Sequence, residues 1–513
     1  MQPPDVELTT KPLGSQVEFA AGGGGGDIAI QGLANQELAF TEEESNAVLR
    51  KIDLRILPLA AVACGMQYVD KAGLGSAATY GLREDLGLVD QEYSWAVSIF
   101  YFGCLLGSFF AGPILQRFHV GKLLGVAYFL WGCTLLGCMG AKGFASLAAL
   151  RFLLGLFESV LVPGLLLITT MWYTHREQPA RLGLWTVLNG ALPIPFLVVF
   201  WGLGQVKGGP LVPWQLIFLL LGLCTCILGT IMFFFLPDTP SEVTWLNERE
   251  RAVAIERVAK DQTGIKNTTF KWEQFREALT DFRVWLILAS MFFSQVAGSV
   301  TTNFLGIIIK GFGYTALKAQ LLSAPNYAIQ TVAVLLVSFP PSYVRRLRNC
   351  KQPLTAIATI IALIGTIILY VTPSEVEYKS RRLGAVIILS AAGCNYNVIM
   401  SVIAANIGGF TKKQVTTSLT FVCYCAINII CPQTFLQSES PRFHTGLTFV
   451  MCMLCVYLCL LAINWTGMRL ENRRRDKLAL TDPAYALGDM SVEIMSGLRD
   501  ETDKQNKRHR YSG

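Results

Sequence analysis

The sequence predicts an all-α membrane protein of twelve transmembrane helices in two six-helix halves. Three observations carry that prediction. Of 513 residues, 52% are hydrophobic and only 15% charged, against roughly 25% charged in an ordinary soluble protein. Mean hydropathy is +0.44. Apolar stretches of about 20 residues, the length that crosses a bilayer, recur between residues 54 and 468 and are separated by short polar loops. The composition excludes a soluble enzyme. The net charge of +7 does not point to nucleic acid, because the basic residues sit at span ends and in loops and form no aromatic-interleaved stripe.

The elements follow in order. Residues 1–53 are polar and acidic with a Gly22–Gly26 run, which predicts a disordered N-terminal tail and no cleavable signal. Spans are expected at 54–76, 93–115, 122–140, 145–170, 182–204 and 213–236, forming the first half, 54–236. Residues 237–283 form a long charged loop, amphipathic around Glu248, Arg251 and Glu256, expected to be partly helical at the membrane surface. Spans at 284–309, 321–343, 353–372, 383–408, 415–436 and 445–468 make the second half, 284–468. Residues 469–513 are a C-terminal tail, polar and disordered from 478 onward. The 14 cysteines lie in or beside the spans and are packing residues.

Lysine and arginine placement orients the chain. The short loops are nearly balanced, so the flanks decide: Arg50, Lys51 and Arg55 precede the first span, and Arg469, Arg473, Arg474, Arg475 and Lys477 follow the last. Both termini are therefore expected in the cytoplasm. The loops after spans two and eight carry Arg117 and Lys122, and Arg346 and Lys351, at equal offsets. Duplicated halves explain the match, and positive-inside decoration is the simpler alternative.

Charge inside the membrane costs a few kcal/mol per group, so such residues normally face a cavity. Away from span ends only Asp70 and Lys71 in span one and Arg151 and Glu158 in span four qualify. Arg151 and Glu158 are seven apart and share one helix face. Two cations with two acids suit a carboxylate-bearing substrate moved with protons. Lys71 or Arg151 would supply charge-assisted hydrogen bonds, and Asp70 or Glu158 would accept a proton in low dielectric. The alternative is an Asp70–Arg151 ion pair that only locks helices. The second half offers amides: Gln295, Asn303, Asn326, Asn395, Asn397, Asn406, Asn428 and Gln433. Amides also join helices; Asn395 and Asn406 are the substrate-site candidates, because they lie on the span that corresponds by duplication to the charge-bearing fourth.

These residues give the chain its resemblance to a known family. Asp70-Lys71-Ala-Gly-Leu-Gly-Ser-Ala, Arg151-Phe-Leu-Leu-Gly-Leu-Phe-Glu158-Ser, Met171-Trp-Tyr, Leu236-Pro-Asp238-Thr-Pro240 and Ala405-Asn406-Ile-Gly-Gly-Phe-Thr411-Lys-Lys occur in register over residues 50 to 475. Together they resemble the major facilitator superfamily, and specifically the fungal allantoate permease-like branch of the anion:cation symporters. The resemblance implies an alternating-access carrier for small organic anions, with Asp70 and Glu158 in proton coupling and Lys71 and Arg151 in carboxylate binding. It also implies a conformational loop at Arg117 and Lys122. Two departures stand out. Lys71 replaces the family's usual arginine, giving a point charge instead of a bidentate fork, and Gln116 replaces the loop's usual aspartate. The antiporter glycine pattern is absent from span five, where Pro193 and Pro195 should interrupt the helix.

The leading expectation is a proton-coupled symporter for a small carboxylate in the cell membrane. Exporting a secondary metabolite is the second reading, and a non-transporting nutrient receptor the third. No catalytic triad, metal set or phosphate loop emerges. The expected partners are therefore the organic anion, protons and the bilayer, with no nucleic acid, metal or cofactor beyond the proton gradient, acting on a monomer.

Overall fold

A computed structural model describes residues 40–174, 177–206, 208–240, 243–260, 271–338, 350–440, 442–481 and 502–512. Among these every regular element is helical, as a chain that must satisfy its own backbone in lipid requires. Eleven helices, from Glu92–Leu115 to His444–Ala479, are long and apolar enough to cross a membrane. Glu42–Thr79 is the twelfth. Asp70, Lys71 and many small residues lower its hydropathy, yet it packs among the fifth and sixth spans with Ala63, Val69 and Ala77 fully buried. Large apolar side chains such as Phe109, Phe234 and Val371 stay exposed on the outside of the bundle, the pattern of a surface whose solvent is lipid.

Two expectations at the chain ends need correction. The first helix begins at Glu42, well inside the expected tail. Thr41 and Glu44 cap it reciprocally, and Glu42, Glu43 and Glu44 place negative charge at its N-terminus. At the other end the twelfth span continues to Ala479, and residues 502–512 fold back onto the bundle with Asp503 and Tyr511 buried. Residues 1–39 and 482–501 lie outside the described residues, as do Arg346 and most of the loop after span eight. The central loop carries the expected surface helices, Glu248–Lys260 and Trp272–Thr280.

Backbones in the first half approach too closely for side chains. A methyl group on Gly103 would lie 2.1 Å from the Phe152 carbonyl, and one on Gly155 would lie 2.0 Å from that of Phe100, so spans two and four touch backbone to backbone. Gly125, Gly132, Gly222 and Gly229 join spans three and six in the same way.

Five spans are interrupted along their length. The fourth divides into Phe144–Glu158 and Leu161–Trp172, and the fifth into Gln178–Ala191 and Pro193–Leu203, where the prolines fall as expected. The seventh, eighth and tenth are interrupted as well, the tenth by a 3-10 turn at Ser390–Cys394. The side of the bundle carrying Glu42 and Ala479 is here the terminal side. Hydrogen bonds between the two halves gather toward the opposite, far side. Tyr93 donates to the Asn303 carbonyl at 2.8 Å, Gln320 to Ser76 at 2.9 Å and Gln433 to Ser98 at 3.0 Å.

Candidate functional site

Lys71 and Glu158 form the centre of the site. The first span brings Lys71 against the break in the fourth, and its ammonium lies 2.8 Å from Glu158 Oε1. Gln67, one turn before Lys71, donates to the same oxygen. Glu158 Oε2 is buried with no hydrogen-bond partner. The lysine side chain keeps 11% exposure against 3% for its partner, so the pair faces a space and is not sealed in the core. Aromatic rings line that space. The ammonium lies 5.6 Å from the Phe100 ring centre and 6.0 Å from that of Tyr68. Phe100 packs on Tyr101, Tyr101 on Tyr424 of span eleven, and Tyr424 on Tyr396 of span ten. The second half thus contributes phenol edges opposite the charge pair.

Asp70 and Arg151 occupy a different interface. Asp70 points away from Lys71 and accepts a 3.2 Å hydrogen bond from the indole of Trp131 in span three, its other oxygen being unpartnered. Arg151 lies 5.9 Å over the Phe218 ring of span six, with Nε and Nη2 unpartnered. Among the described residues no ion pair within 4.0 Å joins the two, so the helix-locking bridge weighed as the alternative is not formed. Of the four charges, one pair is joined and two remain singly placed and buried.

The amide candidates are placed elsewhere. Asn395 is fully buried against span nine, accepting from Thr359 at 3.3 Å. Asn406 exchanges two hydrogen bonds with the Ser512 backbone, at 2.8 and 2.7 Å, on the terminal side. Neither lies beside Lys71. A 3-10 turn advances about 20° more per residue than an α-helix, so the five residues Ser390–Cys394 rotate the following face by about 100°. That rotation brings Tyr396 into the centre instead. Asn303 and Asn428 bond carbonyls of their own helices. Gln433 bonds across the halves, and Asn326 is buried without a partner.

Arg117 and Lys122 are exposed at the ends of spans two and three. The acid missing at Gln116 arrives from another segment. Asp238, after span six, accepts from the Val120 amide at 2.9 Å and lies 2.9 Å from the His119 ring, at the N-terminus of span three where a carboxylate is favoured. A second charge cluster lies on the terminal side of the second half. The Lys412 ammonium, wholly buried, meets Asp503 at 2.6 Å, Asp281 at 2.7 Å and Glu277 at 2.9 Å. These carboxylates converge as metal ligands would, but the cation among them is Lys412. Burial opposes ionisation of Asp281, yet the lysine outweighs it and holds the acid below its ordinary pKa. Nothing in the sequence marked Asp503; Lys412 stood in the motif leaving span ten.

Comparison with known proteins bears on this arrangement. The family profile described as Major Facilitator Superfamily matches residues 60–432. An uncharacterized transporter of Schizosaccharomyces pombe is 31% identical over 489 residues, covering 94% of this chain and 90% of the relative. The allantoate permease of Saccharomyces cerevisiae is 30% identical over 493 residues, covering 93% and 88%. Among solved structures, a D-xylose-proton symporter superposes with a TM-score of 0.58 at 13% identity, covering 79% of this chain and 97% of that one.

Proposed function

Because the chain belongs to the major facilitator superfamily, and is therefore a multi-pass membrane transporter and not an enzyme, we propose that it carries a small organic carboxylate together with a proton. One observation carries the reading: the Lys71–Glu158 pair, buried at a helix break with one carboxylate oxygen unpartnered. With lysine charged and glutamate ionised the site is neutral. A proton on Glu158 alone leaves an uncompensated ammonium in low dielectric, and a substrate anion on Lys71 alone leaves an uncompensated carboxylate. Each costs several kcal/mol. When both bind, neutrality returns: protonated Glu158 releases the ammonium, which then holds the substrate carboxylate by a charge-assisted hydrogen bond. Charge balance thereby couples the two fluxes. Tyr101, Tyr396 and Tyr424 offer hydroxyls for the polar remainder of the substrate.

The buried, singly placed Asp70 and Arg151 supply a second acid and a second cation near the path. The flanking arginines support termini in the cytoplasm, and contacts gathered on the far side then correspond to a state closed outward and open inward. The cell membrane is the location we assign. The yeast relative's named substrate is a ureido carboxylate, which makes that class the first to examine.

The test is uptake of labelled carboxylates, allantoate among them, by proteoliposomes with and without an inward proton gradient. Gradient-driven accumulation in wild type, and gradient-insensitive exchange in Glu158→Gln, is the expected result. A Glu158→Gln protein that still concentrates substrate on the proton gradient sinks the coupling role. Absence of accumulation for every carboxylate favours export.

A further inference from the structure

Between the start of span seven and the end of span twelve, on the terminal side, a cleft of about 280 Å³ opens at the lipid-facing surface. Its walls are exposed and apolar, with Phe282, Ile463 and Leu470 projecting from the bundle. Its mouth is basic. Glu471 lies 3.5 Å from Arg474 and 4.0 Å from Arg283, and 3.0 Å from Arg475, which is buried and bonds the docked tail, so the two arginines that line the cleft leave one positive charge over. Arg474 is 72% exposed, and its only ion pair among the described residues is the 3.5 Å contact with Glu471. Deeper in the cleft lies Asn464, 7% exposed, whose amide has no partner among the described residues. Seven residues separate it from Glu471, about 10 Å along the helix, which sets the amide about two turns further toward the bilayer centre than the carboxylate that Arg283 and Arg474 share. An open amide at that depth is costly until something hydrogen-bonds it.

We propose that this cleft binds one anionic phospholipid. Arg283 and Arg474 take the phosphate, whose oxygens suit the planar guanidinium fork. Asn464 donates to an ester carbonyl below, and an acyl chain runs along Phe282, Ile463 and Leu470. A free phosphate would satisfy the mouth but leave the amide and the apolar wall unused, whereas a phospholipid presents all three chemistries in this order of depth. Exposed Trp285 beside the cleft is an interfacial anchor that marks the headgroup level.

The experiment is native mass spectrometry of the purified full chain, equilibrated in micelles with equimolar phosphatidylserine and phosphatidylcholine. Wild type should retain phosphatidylserine in preference to phosphatidylcholine. Arg474→Gln should cut that preference about fivefold, the effect of one basic residue near an anionic headgroup. Asn464→Leu should weaken retention of both lipids, and excess glycerol 3-phosphate should displace neither. Equal retention of the two lipids by wild type, or an unchanged preference in Arg474→Gln, overturns the proposal. Displacement by glycerol 3-phosphate also overturns it, assigning the cleft to a soluble anion.

Discussion

Two intramolecularly paired lysines, one partly open and one sealed, divide the molecule. Lys71, at the centre of the first half, has one carboxylate partner, a neighbouring oxygen that nothing binds, and a partly open face. Lys412, on the terminal side of the second half, is sealed among three carboxylates drawn from the central loop, the edge of span seven and the folded-back tail. A cation with several bound acids has no reason to change partner, because any exchange strands a buried charge. A cation with one partner, where that partner can be neutralised by a proton, can exchange it for a substrate. On the proposed function, the saturated lysine fastens structure and the undersaturated one is left to bind substrate. Proximity of charges alone would not have separated them.

The comparison can be broken most forcefully at Lys412. Lys412→Ala leaves Glu277, Asp281 and Asp503 crowded without a cation and should cost about 3–5 kcal/mol of stability, read as a lower unfolding midpoint in detergent. Lys71→Gln should fall the other way. Transport drops about 10- to 100-fold, the equivalent of one charged hydrogen bond, while the unfolding midpoint moves far less than for Lys412→Ala, since Glu158 can protonate. A Lys71→Gln protein that unfolds as readily as Lys412→Ala would erase the distinction. Asp503→Asn is milder, about 1 kcal/mol, because Lys412 keeps two acids; faster proteolysis after residue 481 is the readout.

The smallest effect belongs to His509, in the docked tail, where burial pushes the imidazole pKa down to about 4. Docked, it stays neutral; released, it takes up a proton below its ordinary pKa of about 6.5. Docking strength is therefore constant above about pH 6.5 and weakens as pH falls from there toward 4. Proteolysis of the tail across that window should accelerate in wild type and flatten in His509→Gln.

The four intramembrane charges were legible because such residues are rare and costly, and their placement on spans one and four carried over to the structure. Which of them would pair was not. Asp70 and Lys71 are adjacent in sequence and so point to different neighbours, Trp131 and Glu158, and only the helix rotation decides which. The duplication that singled out Asn395 and Asn406 names a span and not a face, and beyond the 3-10 turn at Ser390–Cys394 the two amides bond Thr359 and the Ser512 backbone, away from Lys71. Gln67 was within reach of sequence reasoning, one turn from Lys71. The tail docking was not, since the composition of residues 502–512 is that of a solvated segment and its partners Asn406, Lys412 and Arg475 are distant in the chain.

The glycine seams bear on how force travels. Glu158 sits one turn past Gly155, whose backbone is flush against span two, and span three is flush against span six in the same fashion. Stress arising where the Lys71–Glu158 pair opens has no soft side-chain layer in which to dissipate. The first half should turn as a stiff lever, carrying small shifts at its fulcrum to its rims, and one added methyl at Gly103 or Gly155 would pry the lever apart.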